Sequence, residues 1–206
     1  MSMMVLSAHT PGNGRFRPVK SIRKNHEAYC DRNGYAYRQT CGDMQPHDLI
    51  QPAAWSKIYR IMSCFSECPQ CSVFWIDGDA VFADMTRKIE RFVSDSCCVT
   101  VGRDAGLTGT RFNTGVMLFR NASCARPILN FVHSQRHTYR TRDGMWEQTP
   151  FNLYAESHPR EFCVRPAGDI QTLIKFKNES RKGFVHHFTM VQDQYKERKG
   201  DEPAKR

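Results

Sequence analysis

The chain has 206 residues, of which 40% are hydrophobic and 11% aromatic. That is enough to bury one sizeable core and excludes wholesale disorder. Lys and Arg total 30 against 21 Asp and Glu, a formal charge of +9, which suits an anionic partner without choosing between nucleic acid, a membrane surface and a phosphorylated small molecule. No run approaches the ~20 apolar residues of a membrane span, and Met1–Ala8 is too short and uncharged for a secretory signal. The expectation is a soluble, intracellular protein whose 9 cysteines are mostly free thiols packed as small hydrophobes.

Val5-Leu6-Ser7-Ala8 reads as a buried strand running into the Gly-rich loop His9–Gly14. Val19, Ile22 and His26 have helical spacing over 19–30, Asn33-Gly34 marks a turn, and Tyr35–Arg38 a second strand. Gly42–Pro52 is polar loop. Trp55, Ile58, Met62 and Phe65 share one face of an amphipathic helix that Pro69 ends. Val73-Phe74-Trp75-Ile76 is apolar without alternation, as expected of a strand covered on both faces.

Further strands are predicted at Cys98–Gly102 and Gly115–Phe119, then a helix through Val132 with Pro127 in its first turn. A helix over 147–155 precedes strands at Phe162–Arg165 and Phe184–Phe188. Residues 1–195 are expected to form a single domain, with 196–206 a charged tail or a linker to additional C-terminal domains. Alternating strands and helices predict an α/β fold with a mostly parallel sheet. Such sheets bind ligands beyond the carboxyl ends of their strands, which directs attention to the residues after Ile76.

There the sequence is Asp77-Gly78-Asp79. Two neighbouring carboxylates repel unless a proton or a cation intervenes. Hard oxygen donors suit Mg²⁺ or Mn²⁺, ions that in turn bind phosphate oxygens, and Gly78 lets a ligand approach the backbone. Two chemistries begin this way: sugar transfer from a nucleotide diphosphate, and an aspartyl-phosphate phosphatase with Asp77 as nucleophile. The phosphatase needs a later acidic pair, for which Gly168-Asp169 is the best candidate. Sugar transfer needs a metal ligand near the C-terminus, and Phe184-Val185-His186-His187-Phe188 offers two imidazoles. Adjacent strand residues face opposite ways, so one of them is expected to reach the metal.

Asn113 and Thr114, at the entry to a strand, can hydrogen-bond a hydroxyl-rich ligand, or simply close a turn. Glu147 and Gln148 open a helix and can grip sugar hydroxyls or stabilise a cationic centre. Asp104 follows a strand end. Lys57, Lys175, Lys177, Arg181, Lys182 and Lys196 are candidates for a diphosphate clamp. The C-x3-C-x2-C run Cys64, Cys68, Cys71 has no second pair to complete a zinc site.

In order along the chain, Trp55-Ser56-Lys57, Phe74–Asp79, Asn113–Asn121, Glu147-Gln148 and His187-Phe188 resemble the galactosyl/xylosyl/mannosyl-transferase family. The resemblance spans roughly residues 3–190 and is strongest to the small soluble forms that chlorella viruses encode. It implies a GT-A fold with a small antiparallel element, a nucleotide-sugar donor (usually a UDP-sugar), Mn²⁺ or Mg²⁺, a glycan acceptor and net retention at the anomeric carbon. It further implies that Asp77, Asp79 and His187 hold the metal, that Ser7, His9 and Thr10 hold the nucleoside, and that Asn113 and Gln148 lie in the sugar pocket. The family follows its histidine with Phe, a small residue and Gly; here Met190 stands where glycine is expected. Golgi members carry a membrane anchor that this sequence does not show, so the expectation is either a cytoplasmic enzyme, in the host if viral, or a piece trimmed of its flanking parts. Basic residues scattered rather than clustered argue against nucleic acid as the partner. An acceptor attacking from the face the diphosphate leaves gives retention. Deprotonation of the acceptor by Asp104 or Glu147 on the opposite face gives inversion.

Overall fold

The computed structural model describes residues 2–9, 20–41, 53–104, 110–139, 145–174 and 183–188. The predicted Gly-rich loop, Thr10, the basic residues from Lys175 to Lys182, Met190 and the charged tail lie outside the described residues, as does the side chain of His9.

The elements are β1 (Met3–His9), α1 (Lys20–Asn33), β2 (Ala36–Cys41), α2 (Ser56–Glu67), β3 (Ser72–Ile76), β4 (Ala80–Phe82), β5 (Val99–Arg103), β6 (Phe112–Phe119), α3 (Ala122–Ser134), α4 (Gln148–Ser157), β7 (Phe162–Arg165), β8 (Gln171–Leu173) and β9 (Val185–His187). Six strands form one sheet in the order β2-β1-β3-β6-β5-β7. Every neighbouring pair is parallel except the two involving β6, which runs against β3 and β5. The antiparallel strand matters for function. It puts the start of β6 at the same edge as the carboxyl ends of β1 and β3, so Asn113-Thr114-Gly115 meets the turn after Ile76.

All residues of β3 and β6 are buried, because side chains alternate between two separate cores. Met4, Leu6, Val73, Trp75, Met117 and Phe119 pack with α2, α3 and α4 on one face. Met3, Val5, Phe74, Ile76, Val116 and Leu118 pack with Tyr29 and Cys30 of α1, and with Phe82 and Phe184, on the other. Helix α2 buries Ile58, Ile61, Cys64 and Phe65; the predicted stripe rotates slightly, leaving Met62 at its margin.

A second sheet, order β4-β9-β8, pairs β4 antiparallel and β8 parallel to β9. The strands β4 and β8 have three residues each, too short for an alternation pattern to declare them. An aromatic knot holds this sheet down. Tyr29 stacks on Phe82 at 3.7 Å between centroids, and Phe82 and Phe74 lie 5.4 and 6.0 Å from Phe184.

Two expectations need correction. Pro127 does not open its helix. Asn121 caps α3, its side chain accepting from the Cys124 N–H at 3.2 Å, so Pro127 is the sixth helical residue. Its missing donor leaves the Ser123 carbonyl without an i+4 bond, and both residues are exposed, where water can serve instead. Nor are the cysteines with described side chains mostly free: half of them are paired. Cys68–Cys71 and Cys97–Cys163 are disulfides, with Cα atoms 5.5 and 5.8 Å apart, and the free thiols among the described residues are Cys30, Cys64, Cys98 and Cys124. Loop and strand geometry bring those pairs within bridging distance, which counting cysteines does not reveal.

Candidate active site

The site starts from the turn after β3. The Asp77 N–H donates to the Gly115 carbonyl at 2.8 Å, extending the β3–β6 ladder by one bond, and the Ala80 N–H closes the turn onto the Asp77 carbonyl at 3.1 Å. Trp75, two residues earlier on the strand, donates its indole N–H to Asp77 Oδ1 at 2.6 Å. The other wall comes from the second sheet. Ala80 pairs with His187 in the β4–β9 ladder, and the Phe188 N–H donates to the Asp79 carbonyl at 3.1 Å. This register sends the imidazole of His187, rather than that of His186, toward the aspartates. His187 Nε2 lies 3.1 Å from Asp79 Oδ1 and 3.8 Å from Asp77 Oδ2.

Asp77, Asp79 and His187 each offer a ligand atom within 4.8 Å of the others, the one such group among the described residues. Two carboxylate oxygens and one imidazole nitrogen form a mixed O/N donor set that fits Mn²⁺ and accommodates Mg²⁺. Burial alone would disfavour a charged imidazole, but Asp79 and then Asp77 outweigh it and raise the His187 pKa. Burial likewise opposes the Asp79 carboxylate, and His187 outweighs it, drawing that pKa down. The residues thus hold one another in the ion-paired form.

A second charged cluster adjoins the first. Lys57 is 4% exposed, on the buried face of α2. Its ammonium lies 2.7 Å from Glu147 Oε1 and 3.1 Å from Asp77 Oδ1, and donates to the Thr114 carbonyl at 3.1 Å. It also sits 5.7 Å above the Trp75 ring centre, a cation–π distance. Burial works against the ammonium, but Asp77 and Glu147 together raise its pKa. The Thr114 carbonyl is available because β6 bulges against β5: register jumps from Gly102–Asn113 to Val101–Met117, so residues 114–116 have no β5 partners.

Glu147 and Gln148 divide their duties. The Thr114 hydroxyl donates to Glu147 Oε1 at 3.1 Å, whereas Glu147 Oε2 is buried with no hydrogen-bond partner. Burial pushes the Glu147 carboxyl pKa up, with Lys57 opposing. The Gln148 amide is engaged within the protein: its oxygen accepts from the Thr114 N–H at 3.2 Å and its nitrogen donates to Thr110 Oγ1 at 2.9 Å. One turn on, Asn152 pairs with both polar groups of the Phe112 backbone at 3.2 and 3.1 Å, like an added strand residue. Gln148 and Asn152 therefore clamp α4 to the start of β6.

Met145 and Trp146, immediately before Glu147, have φ of 53° and 46°. Two successive non-glycine residues in the left-handed region store strain next to the buried Glu147 carboxylate. Met145→Gly is expected to raise stability by a net ~0.5–1 kcal/mol after the extra freedom of the unfolded glycine is subtracted, which scanning calorimetry would register. A lower melting temperature would show that the Met145 side chain matters more than its backbone.

The structure thus brings together Asp77, Asp79, His187, Lys57, Thr114 and Glu147. Ser7 is buried near the end of β1, and Gly78 sits in the turn between the two aspartates. Asn113 turns its side-chain oxygen to the Gly115 N–H at 2.8 Å, the turn-closing alternative. Asp104 is buried at the end of β5, its N–H bonded to the Arg111 carbonyl, outside the metal-ligand group. So is Asp169, which pairs with Arg165 at 2.9 Å; the later acid that a phosphatase requires is engaged elsewhere. Sequence reasoning missed Asn152 and Gln171. The Gln171 amide donates to the Asn113 carbonyl at 3.2 Å and joins the two sheets at the site.

A six-stranded sheet with one antiparallel strand, helices on its faces, and an acidic turn at the strand ends facing a histidine from a small second sheet define the GT-A glycosyltransferase fold. The comparisons agree. A glycosyltransferase involved in glycosylation of the major capsid of PBCV-1 superposes with a TM-score of 0.75 at 17% identity, covering 96% of this chain and 98% of that one. The galactosyltransferase LgtC superposes at 0.55 and 13% identity, covering 98% and 97%. Residues 2–99 match the model of the galactosyl transferase GMA12/MNN10 family, so the resemblance read from the motifs holds over that stretch of the chain. Probable glycosyltransferase 6 of Oryza sativa subsp. indica is 29% identical over 141 residues, 64% of this chain. The chain spans 28% of that relative's length. Among the described residues no helix is long and apolar enough to cross a membrane.

Proposed function

We propose that the protein is a glycosyltransferase that moves a sugar from a nucleotide-diphosphate sugar, a UDP-sugar by family resemblance, to a glycan acceptor. The observation that carries this reading is the convergence of Asp77, Asp79 and His187 at the ligand-binding edge of a GT-A sheet. These three residues would hold Mn²⁺ or Mg²⁺, and the bound ion would supply charge to neutralise the departing diphosphate.

The remaining roles belong to the chain. Lys57 lies between Asp77 and Glu147 as their buried counter-charge and fixes the orientation of both. Glu147 Oε2, buried and unpartnered, is the carboxylate oxygen assigned to the transferred sugar, where it accepts a hydroxyl or faces the positive character that develops at the anomeric carbon. Gln148, with its amide bonded to Thr114 and Thr110, orients Glu147 and the start of β6. Ser7, His9 and Thr10 are assigned to the nucleoside. The family resemblance points to net retention, which product stereochemistry by NMR would decide.

Isothermal calorimetry with UDP-sugars tests the proposal. Binding should be at least tenfold tighter with Mn²⁺ than in chelator. Equal affinity with and without metal for every donor tried would overturn it.

A further inference from the structure

We infer that Gly115 is a positioning residue for the His187 imidazole, needed for the space its missing side chain leaves. The inference rests on the metal-site reading above and extends it to a residue outside the metal-ligand group. A Cβ placed on Gly115 would lie 2.0 Å from His187 Cε1, 2.4 Å from His187 Nδ1 and 2.9 Å from Asn113 Oδ1. The ring therefore rests directly on the glycine backbone. The requirement is not conformational, since the positive-φ glycines among the described residues are Gly34, Gly168 and Gly183. Alanine would suit the strand conformation at this position; the imidazole at 2.0 Å is the severe obstacle, and the Asn113 side-chain oxygen at 2.9 Å must also give way slightly.

The imidazole cannot retreat with its backbone. His187 is 4% exposed. Its carbonyl accepts from the Ile174 N–H at 2.8 Å, it pairs with Ala80 across β4, and the next residue is bonded to the Asp79 carbonyl. Any side chain in place of Gly115 must rotate the ring about its χ angles, which carries Nε2 away from Asp79 and Asp77. The Gly115 carbonyl meanwhile receives the Asp77 N–H. One residue thus sets two limbs of the site, Asp77 through its backbone oxygen and His187 through its empty side. Alanine separates the two, because it keeps the oxygen and fills the space.

Four proteins test this: wild type, Gly115→Ala, His187→Ala and the double variant. Mn²⁺ affinity is read by electron paramagnetic resonance titration of the free ion, and stability by thermal unfolding of the metal-free proteins. Gly115→Ala should weaken Mn²⁺ binding at least tenfold, as His187→Ala does, and the double variant should bind no worse than His187→Ala alone. The Gly115→Ala change should lower the melting temperature by roughly 5 °C when His187 is present and by much less when it is absent, where the Asn113 contact is the one that remains. If Gly115→Ala alone does not fold, recovery of folding in the double variant supports the same contact. The inference fails if Gly115→Ala keeps wild-type Mn²⁺ affinity while His187→Ala loses it, if the melting loss is equal in both backgrounds, or if neither Gly115→Ala nor the double variant folds. Wild-type Mn²⁺ affinity in His187→Ala would instead refute the metal site, and the melting comparison would still decide the role of Gly115.

Discussion

Asp79→Asn is expected to lower donor-dependent sugar transfer about 10³-fold, a loss of ~4 kcal/mol of transition-state stabilisation. The substitution keeps the shape of the turn, so the Phe188 N–H can still reach the residue 79 carbonyl and the fold should persist. It removes the negative charge that holds His187 Nε2 at 3.1 Å. Unfolding of the metal-free protein reports the loss separately from catalysis. In the wild type the raised His187 pKa stabilises the fold below the ordinary histidine range, and that contribution disappears as pH rises through the folded value. The lowered Asp79 pKa stabilises above the ordinary carboxylate range and is lost as pH falls through its folded value. The ion pair therefore contributes between those limits, in mildly acidic solution, where Asp79→Asn should melt lower than wild type. Metal binding follows the opposite trend at its upper end. The imidazole must shed its proton to become a ligand, so Mn²⁺ affinity should rise with pH through the raised His187 value. Activity in Asp79→Asn within tenfold of wild type would remove Asp79 from the metal site.

Much of this arrangement is legible in the residues themselves. The unalternating run Val73–Ile76 marks a strand covered on both faces, and the acidic turn after it marks the ligand edge. From the residues alone His187 is one of two candidates, and it is the family resemblance that singles it out. The choice over His186 depends on the pairing of Ala80 with His187, a register between segments far apart in sequence. That register is enforced by strands of three residues, which carry too few side chains to show a period.

Other features are hidden for different reasons. Lys57 sits in a helix whose apolar stripe is plain, but a lysine beside such a stripe ordinarily snorkels to solvent. Only the approach of Glu147 from the start of α4 and Asp77 from the end of β3 makes its burial tolerable. The strained pair before Glu147 gives no signal in sequence, since neither Met145 nor Trp146 is a residue type that favours positive φ. Nothing in the sequence shows that the Gln148 amide bonds Thr114 and Thr110, or that Asn152 pairs with the Phe112 backbone, because those partners lie more than 30 residues away along the chain. Gly115 stands inside the Asn113–Asn121 motif, but its value as empty space appears only when the imidazole lies against it.

Lys57→Met carries the largest expected cost in stability. The substitution keeps an unbranched apolar stem and deletes the charge that lies over Trp75 and between Asp77 and Glu147. Removing one partner from a buried charge cluster leaves the others desolvated and uncompensated, a loss of about 3–5 kcal/mol, or roughly 6–20 °C in melting temperature for a chain of this size. Thr114 also loses the donor to its bulged carbonyl. The pH dependence identifies the cause. Glu147 already holds its proton more tightly in the folded protein than in the unfolded chain, and without Lys57 that excess grows. A raised folded pKa means stability that is full at low pH and declines as pH rises through the folded value. Lys57→Met should therefore approach wild-type stability near pH 5 and fall furthest behind near pH 8. Adding Glu147→Gln removes the uncompensated charge, so the double variant should melt higher than Lys57→Met alone at pH 8 while remaining inactive. A deficit in Lys57→Met that is equal at both pH values, and that Glu147→Gln does not relieve, would mean that Lys57 acts through packing and not as the counter-charge of the site.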